Sequence, residues 1–313
     1  MRRAGGTGLV AAIISGTEMG AHIRAELAAD ILALKALKIV PGLAVVLVGE
    51  DPASLSYVSN KAKACRELGI MEETFRLPAA TDQESLLELV DRLNADPGFH
   101  GILVQLPLPG HIDPDKILLR VDPDKDMDGL HPVNLGRLMS GNPVFLPCTP
   151  AGIQQMLLRS GHDPSGKHVV ICGRSTLVGK PLANMLVQKG KGANATVTVC
   201  HTGTRNMGEV TRAADILVAA MGSPGAIKAD MVREGAVVID VGTTRVEDPS
   251  SPKGYRLAGD VDFAAVMHKA AAITPVPGGV GPMTIAMLMA NTVKAAKGAG
   301  SRVTTTDAGG RGG

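Results

Sequence analysis

Six short apolar runs, each closing on a glycine, a proline or a polar turn residue, constrain this chain more than any other feature. They are LAVVLVG (43–49), GILVQLP (101–107), HVVICG (168–173), TVTVCH (196–201), DILVAAMG (215–222) and AVVIDVG (236–242). An apolar run of this length without polar alternation reads as a strand covered on both faces, as in parallel sheets flanked by helices. A weaker strand reads over 71–77. Helices read over 19–37, over 52–68 with a stop at Gly69, and over 82–95. Strand and helix alternate, so the fold class is α/β with a largely parallel sheet. Residues 121–148, rich in Pro, Asp and Gly, read as a long ordered connection. Further helices are expected from Thr149 to about Ser160, from Val178 to Lys189 and over 283–297, with 273–282 a strand running into a Gly/Pro loop. At 313 residues the chain has room for two domains.

The charge balance excludes one large class of partner. Thirty-two basic residues face 30 acidic ones, and there are two Tyr, four Phe and no Trp. Nucleic acid wants a basic field and stacking rings, and neither is present. No stretch reaches the roughly 18 consecutive apolar residues of a membrane span. The opening MRRAGGTGLVAAIISG has only a short apolar core, Leu9 to Ile14, and reads as a frayed start leading into a short strand rather than a signal peptide. Cys65, Cys148, Cys172 and Cys200 form no Cys-x-x-Cys pair, as expected of reduced packing residues in a cytoplasmic protein. Residues 298–313 lack apolar periodicity and read as a disordered tail.

Four segments carry chemistry. HVVICGRSTLVGKP joins a strand, a glycine turn and a helix start, where open α/β sheets bind dinucleotide phosphates. Ser175 occupies the second glycine position and Gly179 comes one residue late, so an ordinary strand-to-helix turn stays open. The next strand ends Cys200-His201-Thr202 without the carboxylate that holds a ribose in NAD binders, and Arg174 stands where it can meet a 2′-phosphate. Both features favour NADP. In DPDKDMDGLHPVNL, Asp124, Asp126, Asp128 and Gly129 have the start of a calcium-loop spacing, but Leu135 replaces the closing Glu and Pro132 interrupts it. What remains is a solvated acidic turn or a carboxylate for the N–H donors of a polar ring. Tyr57 and Lys61, four apart, share a helix face: either a solvated lysine, or a stacking ring beside a proton-transfer group. Gln105, at the end of an apolar strand, needs a partner, and Lys61 is a candidate. His131 and His201 are further acid/base candidates with no partner visible in the sequence.

Taken together, VGEDPASLSYVSNKAKACRELGI, GILVQLPLPGHID, DKDMDGLHPVNLGRL, PCTPAGI, GRSTLVGKP, GDVDF and ITPVPGGVGPMT, in order from about Ile14 to Ala296, resemble the bifunctional methylenetetrahydrofolate dehydrogenase/cyclohydrolase family. The resemblance implies oxidation of 5,10-methylenetetrahydrofolate with NADP, then hydrolysis of the methenyl form to 10-formyltetrahydrofolate in the same cleft, in the service of purine biosynthesis. It implies two α/β domains flanking that cleft. Residues 1–148 with a helix returning at 283–297 would form the substrate and catalytic domain, and 149–282 a Rossmann-like NADP domain. It places Lys61 at the catalytic lysine, Gln105 at the glutamine bonded to it, and Tyr57 at the tyrosine stacked on the folate. Asp128 matches the aspartate on the pterin ring, and Pro277, Gly278, Gly279 and Val280 the loop closing over substrate. Gly173, Arg174, Ser175, Gly179, His201, Thr202, Thr243 and Thr284 match cofactor contacts. A homodimer is implied as well.

Two positions depart from the family pattern. Gly242-Thr243-Thr244 replaces the usual Gly-Ile-Asn beside the nicotinamide, and Thr202 replaces a serine that helps hold the 2′-phosphate. Two rivals remain. One is an NADP-dependent dehydrogenase of another small acid, and the other a nucleotide-binding relic without chemistry. A relic should have lost the set Tyr57, Lys61, Gln105 and Asp128, which is intact.

Overall fold

The structure, a computed structural model, describes residues 10–251 and 254–308. Two compact units emerge: residues 21–148 with 285–308, and residues 10–20 with 149–284. The chain starts with β1 (Ala12–Ile13) and α1 (Gly16–Ala36). Strand and helix then alternate through β2 (Gly42–Val48), α2 (Pro52–Leu68), β3 (Met71–Leu77), α3 (Gln83–Ala95) and β4 (Gly101–Val104), followed by the short helices α4 (Pro114–Arg120) and α5 (Pro132–Met139). β3, β2 and β4 form a parallel sheet with β2 in the centre. Every residue of β2 is buried. Its pleat sends Leu43, Val45 and Leu47 into one core with Val58 and Cys65 of α2, and Ala44, Val46 and Val48 into another with Leu86 and Val90 of α3. α2 starts where the Asp51 carboxylate accepts the Ser54 N–H at 2.8 Å, and it stops at Gly69, whose φ of 73° suits a residue without Cβ.

The second half runs α6 (Cys148–Arg159), β5 (His168–Cys172), α7 (Gly179–Leu186), β6 (Thr196–Cys200), α8 (Met207–Arg212), β7 (Ile216–Ala219), a 3-10 turn (Ala229–Met231), β8 (Val237–Asp240), β9 (Thr244–Glu247), β10 (Tyr255–Ala258), α9 (Phe263–Val266), β11 (Ala272–Ile273) and α10 (Val280–Ala308). A six-stranded sheet in the order β1-β11-β8-β7-β5-β6 is parallel throughout, and β9 and β10 make a separate antiparallel hairpin. β5 sits between β6 and β7, so the connections leave it in opposite directions. An open α/β sheet binds its ligand at the carboxyl ends on either side of such a reversal.

Four expectations are corrected. Residues 12–13 join the second sheet, pairing Ala12 with Ala272 and Ile13 with Ile273, so the first domain does not hold all of 1–148. Two residues with a distant partner leave no periodicity to read. The connection 121–148 contains α5, opened by the His131 ring, whose Nδ1 accepts the Val133 N–H at 3.1 Å. α7 ends at Leu186 rather than Lys189. The tail is helical through Ala308, because extending a formed helix costs far less than nucleating one. Residues 1–9 and 309–313 of the expected frayed start and tail lie outside the described residues. No described helix is long and apolar enough to cross a membrane.

Candidate active site

In the unit of residues 21–148, α2 carries Tyr57 and Lys61 one turn apart. Tyr57 is 37% exposed, whereas Lys61 is only 7% exposed. The Lys61 Nζ donates to Gln105 Oε1 at 3.0 Å, and Gln105 Nε2 donates to the Leu106 carbonyl at 2.7 Å. The second bond fixes which end of the amide faces the lysine, since only the carbonyl oxygen can accept the Lys61 N–H. The Gln105 N–H in turn donates to the Val46 carbonyl of β2, so the glutamine is anchored to the sheet. The structure thus excludes a solvated helix lysine.

The acidic run 122–128 divides by role. Asp126 is buried, and its Oδ2 accepts the His131 N–H at 2.8 Å and Asn134 Nδ2 at 2.9 Å. Asp124 is exposed and lies 3.8 Å from Arg137. Asp128 is half-buried in the same unit as Lys61. Burial pushes its carboxyl above the ordinary carboxylate range; Lys61 opposes the rise and Asp126 adds to it. Its backbone is held from behind. Asn291 Nδ2 donates to the Met127 and Leu146 carbonyls at 2.9 and 3.0 Å, and the Cys148 N–H donates to the Asp128 carbonyl at 3.3 Å. Nothing in the sequence marked Asn291, because its partners lie at the other end of the chain. Among the described residues no group of three His, Cys, Asp or Glu side chains could hold a metal ion.

In the other unit, the turn after β5 is built for close backbone approach. A Cβ on Gly173, whose φ is 135°, would fall 2.1 Å from the Ala220 carbonyl oxygen, and one on Gly179 would fall 2.0 Å from that of Gly173. α7 starts at Gly179 without a side-chain cap. Arg174 and Ser175 are exposed beside it, and Ser175 Oγ accepts the Val178 N–H at 3.1 Å. β6 ends with half-buried His201 and exposed Thr202, and His201 Nδ1 accepts the Gly203 N–H at 3.0 Å. His131 and His201 therefore both spend Nδ1 on a backbone donor. Thr243 is exposed, and Thr284 Oγ1 lies 3.0 Å from Thr149 Oγ1. In the loop before α10, Pro277 is exposed and Gly279 and Val280 are buried, while Gly278 has a φ of 99°.

Two carboxylates of this unit went unread in the sequence: Asp240, 3% exposed, and Asp260, fully buried. Asp260 Oδ2 accepts the N–H groups of Met221 and Gly222 at 2.5 and 3.0 Å, and Oδ1 accepts that of Ser223 at 2.7 Å. Asp240 Oδ1 accepts the N–H groups of Gly242 and Asp260 at 3.0 and 2.8 Å, and Oδ2 that of Val261 at 3.0 Å. Burial pushes the Asp240 carboxyl up to about 6 against the lowering by these three donors, and the Asp260 charge adds to the rise. All four cysteines are free and buried, and burial pushes the Cys65 and Cys172 thiols up to about 12.

The model of the tetrahydrofolate dehydrogenase/cyclohydrolase catalytic domain matches residues 14–128, and that of the family's NAD(P)-binding domain matches 147–300. The bifunctional protein FolD of Dehalococcoides mccartyi is 62% identical over 287 residues, covering 91% of this chain and 96% of that protein. The structure of the bifunctional FolD enzyme of Campylobacter jejuni superposes with a TM-score of 0.86 at 47% identity, over 91% of this chain and 98% of that one. That of the Trypanosoma brucei enzyme, complexed with NADP cofactor and inhibitor, gives 0.87 at 42% identity, over 92% and 98%.

Proposed function

The chain belongs to the tetrahydrofolate dehydrogenase/cyclohydrolase family, and from that premise we infer that Lys61 carries the proton traffic of its hydrolytic step. The protein oxidises 5,10-methylenetetrahydrofolate to the methenyl form with NADP and hydrolyses that product to 10-formyltetrahydrofolate. The single observation that carries the site reading is the buried Lys61 Nζ held 3.0 Å from Gln105 Oε1, in one unit with Asp128.

In the oxidation, an NADP held in the other unit would supply the hydride acceptor. The protein's task is to hold the folate ring in line and keep it from drifting. Asp128 accepts ring N–H donors, which its partial burial makes selective, and Tyr57 offers a face for stacking. Hydrolysis needs more. Water attacking the methenyl carbon must lose a proton, and opening of the ring requires one delivered to nitrogen. Lys61 takes the proton from the attacking water and returns one to the ring nitrogen, and Gln105 keeps its amine aimed. Pro277, Gly278, Gly279 and Val280 are further substrate contacts on this reading. The glycine turn at 173–179 fits the dinucleotide phosphates, since any Cβ at Gly173 or Gly179 would fill the space where the backbones meet. Arg174 and Thr202 take the 2′-phosphate, with Ser175, His201, Thr243 and Thr284 as further contacts. The product is suited to purine biosynthesis in the cytoplasm, and a homodimer is the expected assembly, which light scattering tests directly.

Lys61→Met tests the central reading. Losing a positioned acid/base group costs about 10²–10⁴-fold, so methenyl hydrolysis should fall by that range. Methenyl formation should keep a measurable rate, and NADP affinity should stay near wild type. Undiminished hydrolysis in the purified variant would remove Lys61 from the mechanism.

A further inference from the structure

We propose that Asp260 is a positioning residue for the redox half of the reaction: it fixes the 221–223 backbone that seats the nicotinamide end of the dinucleotide. The proposal rests on the NADP reading above. Three consecutive N–H groups converging on one point make a concavity of the kind that elsewhere binds an anion. Here the chain's own carboxylate fills it, with all three donors between 2.5 and 3.0 Å. The shape of 221–223 is therefore set before any ligand arrives.

Asp260 is itself held in series. Asp240 accepts the N–H groups of Asp260, Val261 and Gly242, and the Asp240 N–H donates to Thr274 Oγ1 at 2.7 Å. The segments joined in this way follow β7, β8 and β11, three neighbouring strands, at their carboxyl ends. The 221–223 segment begins beside the glycine turn after β5, since a Cβ on Gly173 would fall 2.1 Å from the carbonyl oxygen of Ala220. Nor can side chains enter the set. A Cβ on Gly242 would lie 2.5 Å from the Asp260 nitrogen, and one on Gly259 would lie 1.9 Å from Asp240 Oδ2. Two buried carboxylates in sequence are costly to desolvate. The bonds of this set end at 221–223, 240–242, 260–261 and 274, on the side of β5 away from β6, and none of them reaches Arg174 or Thr202.

The test compares two ligands on Asp260→Asn. The amide turns a donor toward donors, so at least one of the three bonds is lost. NADP affinity and the dehydrogenase kcat should fall about 10- to 100-fold, the cost of a misplaced reacting ring. Adenosine 2′,5′-bisphosphate, which lacks the nicotinamide, should bind within about twofold of wild type. Parallel weakening of both ligands would reduce Asp260 to a folding residue, and an unchanged NADP affinity would overturn the proposal as well. Should Asp260→Asn fail to fold, Thr274→Val removes the hydroxyl that receives the Asp240 N–H and leaves the carboxylates in place. The same split, smaller in size, is expected there, and its absence overturns the proposal. A wild-type protein indifferent to the bisphosphate would overturn the NADP reading itself.

Discussion

Arg174 stands exposed one residue past the turn glycine, and β6 ends beside it in His201 and Thr202 with no carboxylate. On the proposed reading, the charge-assisted bond of Arg174 to the 2′-phosphate is the chief contact by which NADP is told from NAD. Arg174→Ala should weaken NADP roughly 10- to 100-fold, as for one hydrogen bond to a charged group, and leave NAD nearly unchanged. Equal losses in titrations with both would refute the phosphate role. Asp126 and Asp128 give a second prediction at this scale. Asp128→Asn should lower folate affinity while melting temperature holds. Asp126→Ala should cost about 1–3 kcal/mol of stability, because two buried donors lose their acceptor. Denaturant titrations with folate-binding curves on both variants separate the two. The pairing of Lys61 with Gln105 was legible in the sequence, because an amide at the end of a buried strand must find a partner. The division of labour within the acidic run was not. All three aspartates sit in one turn, and only the course of α5 decides which of them meets His131 and Asn134.

The start of α1 lies against the loop that precedes α10. The Thr17 N–H donates to the Gly278 carbonyl at 3.0 Å, and a Cβ on Gly16 would sit 1.8 Å from the Gly279 carbonyl oxygen. Backbone cannot yield as a flexible side chain can, so Gly16→Ala must shift the 278–279 segment. Overpacking of this kind typically costs about 1–3 kcal/mol. The expected result is a lower melting temperature together with a raised KM for the folate substrate. A lowered melting temperature with KM unmoved would detach this loop from substrate binding. The long elements were readable because burial on both faces writes an unbroken apolar run, as in β2. α8, α9 and the β9–β10 hairpin were not, since four to six residues hold too little pattern. Gly16 was opaque for another reason: its constraint comes from residues at the far end of the chain.

Across the molecule, two groups of carboxylates respond oppositely to acid. Asp82, Asp91, Asp215 and Asp248 are held below the ordinary 3.8 by hydrogen bonds, chiefly from Ser85, Arg120, His168 and Ser250. Their stabilisation is complete above that value and is lost as pH falls through their folded-state range. Asp240 runs the other way. Its folded-state value of about 6 exceeds the unfolded 3.8, so the native state binds the proton more tightly. Between about pH 6 and 4 this group adds stability as pH falls. The melting temperature of wild type minus that of Asp240→Asn should therefore widen from about pH 7 to about pH 4.5 in calorimetry, and a constant gap would contradict the raised value. The pairing of β1 with β11 bears on synthesis. Ala272 leaves the ribosome about 260 residues after Ala12, roughly ten to fifty seconds later at ordinary elongation rates. Through that interval the first strand made has no neighbour to bond. A nascent chain halted before Ala272 leaves β8 as a bare sheet margin, open to the matching strand of another unfinished copy.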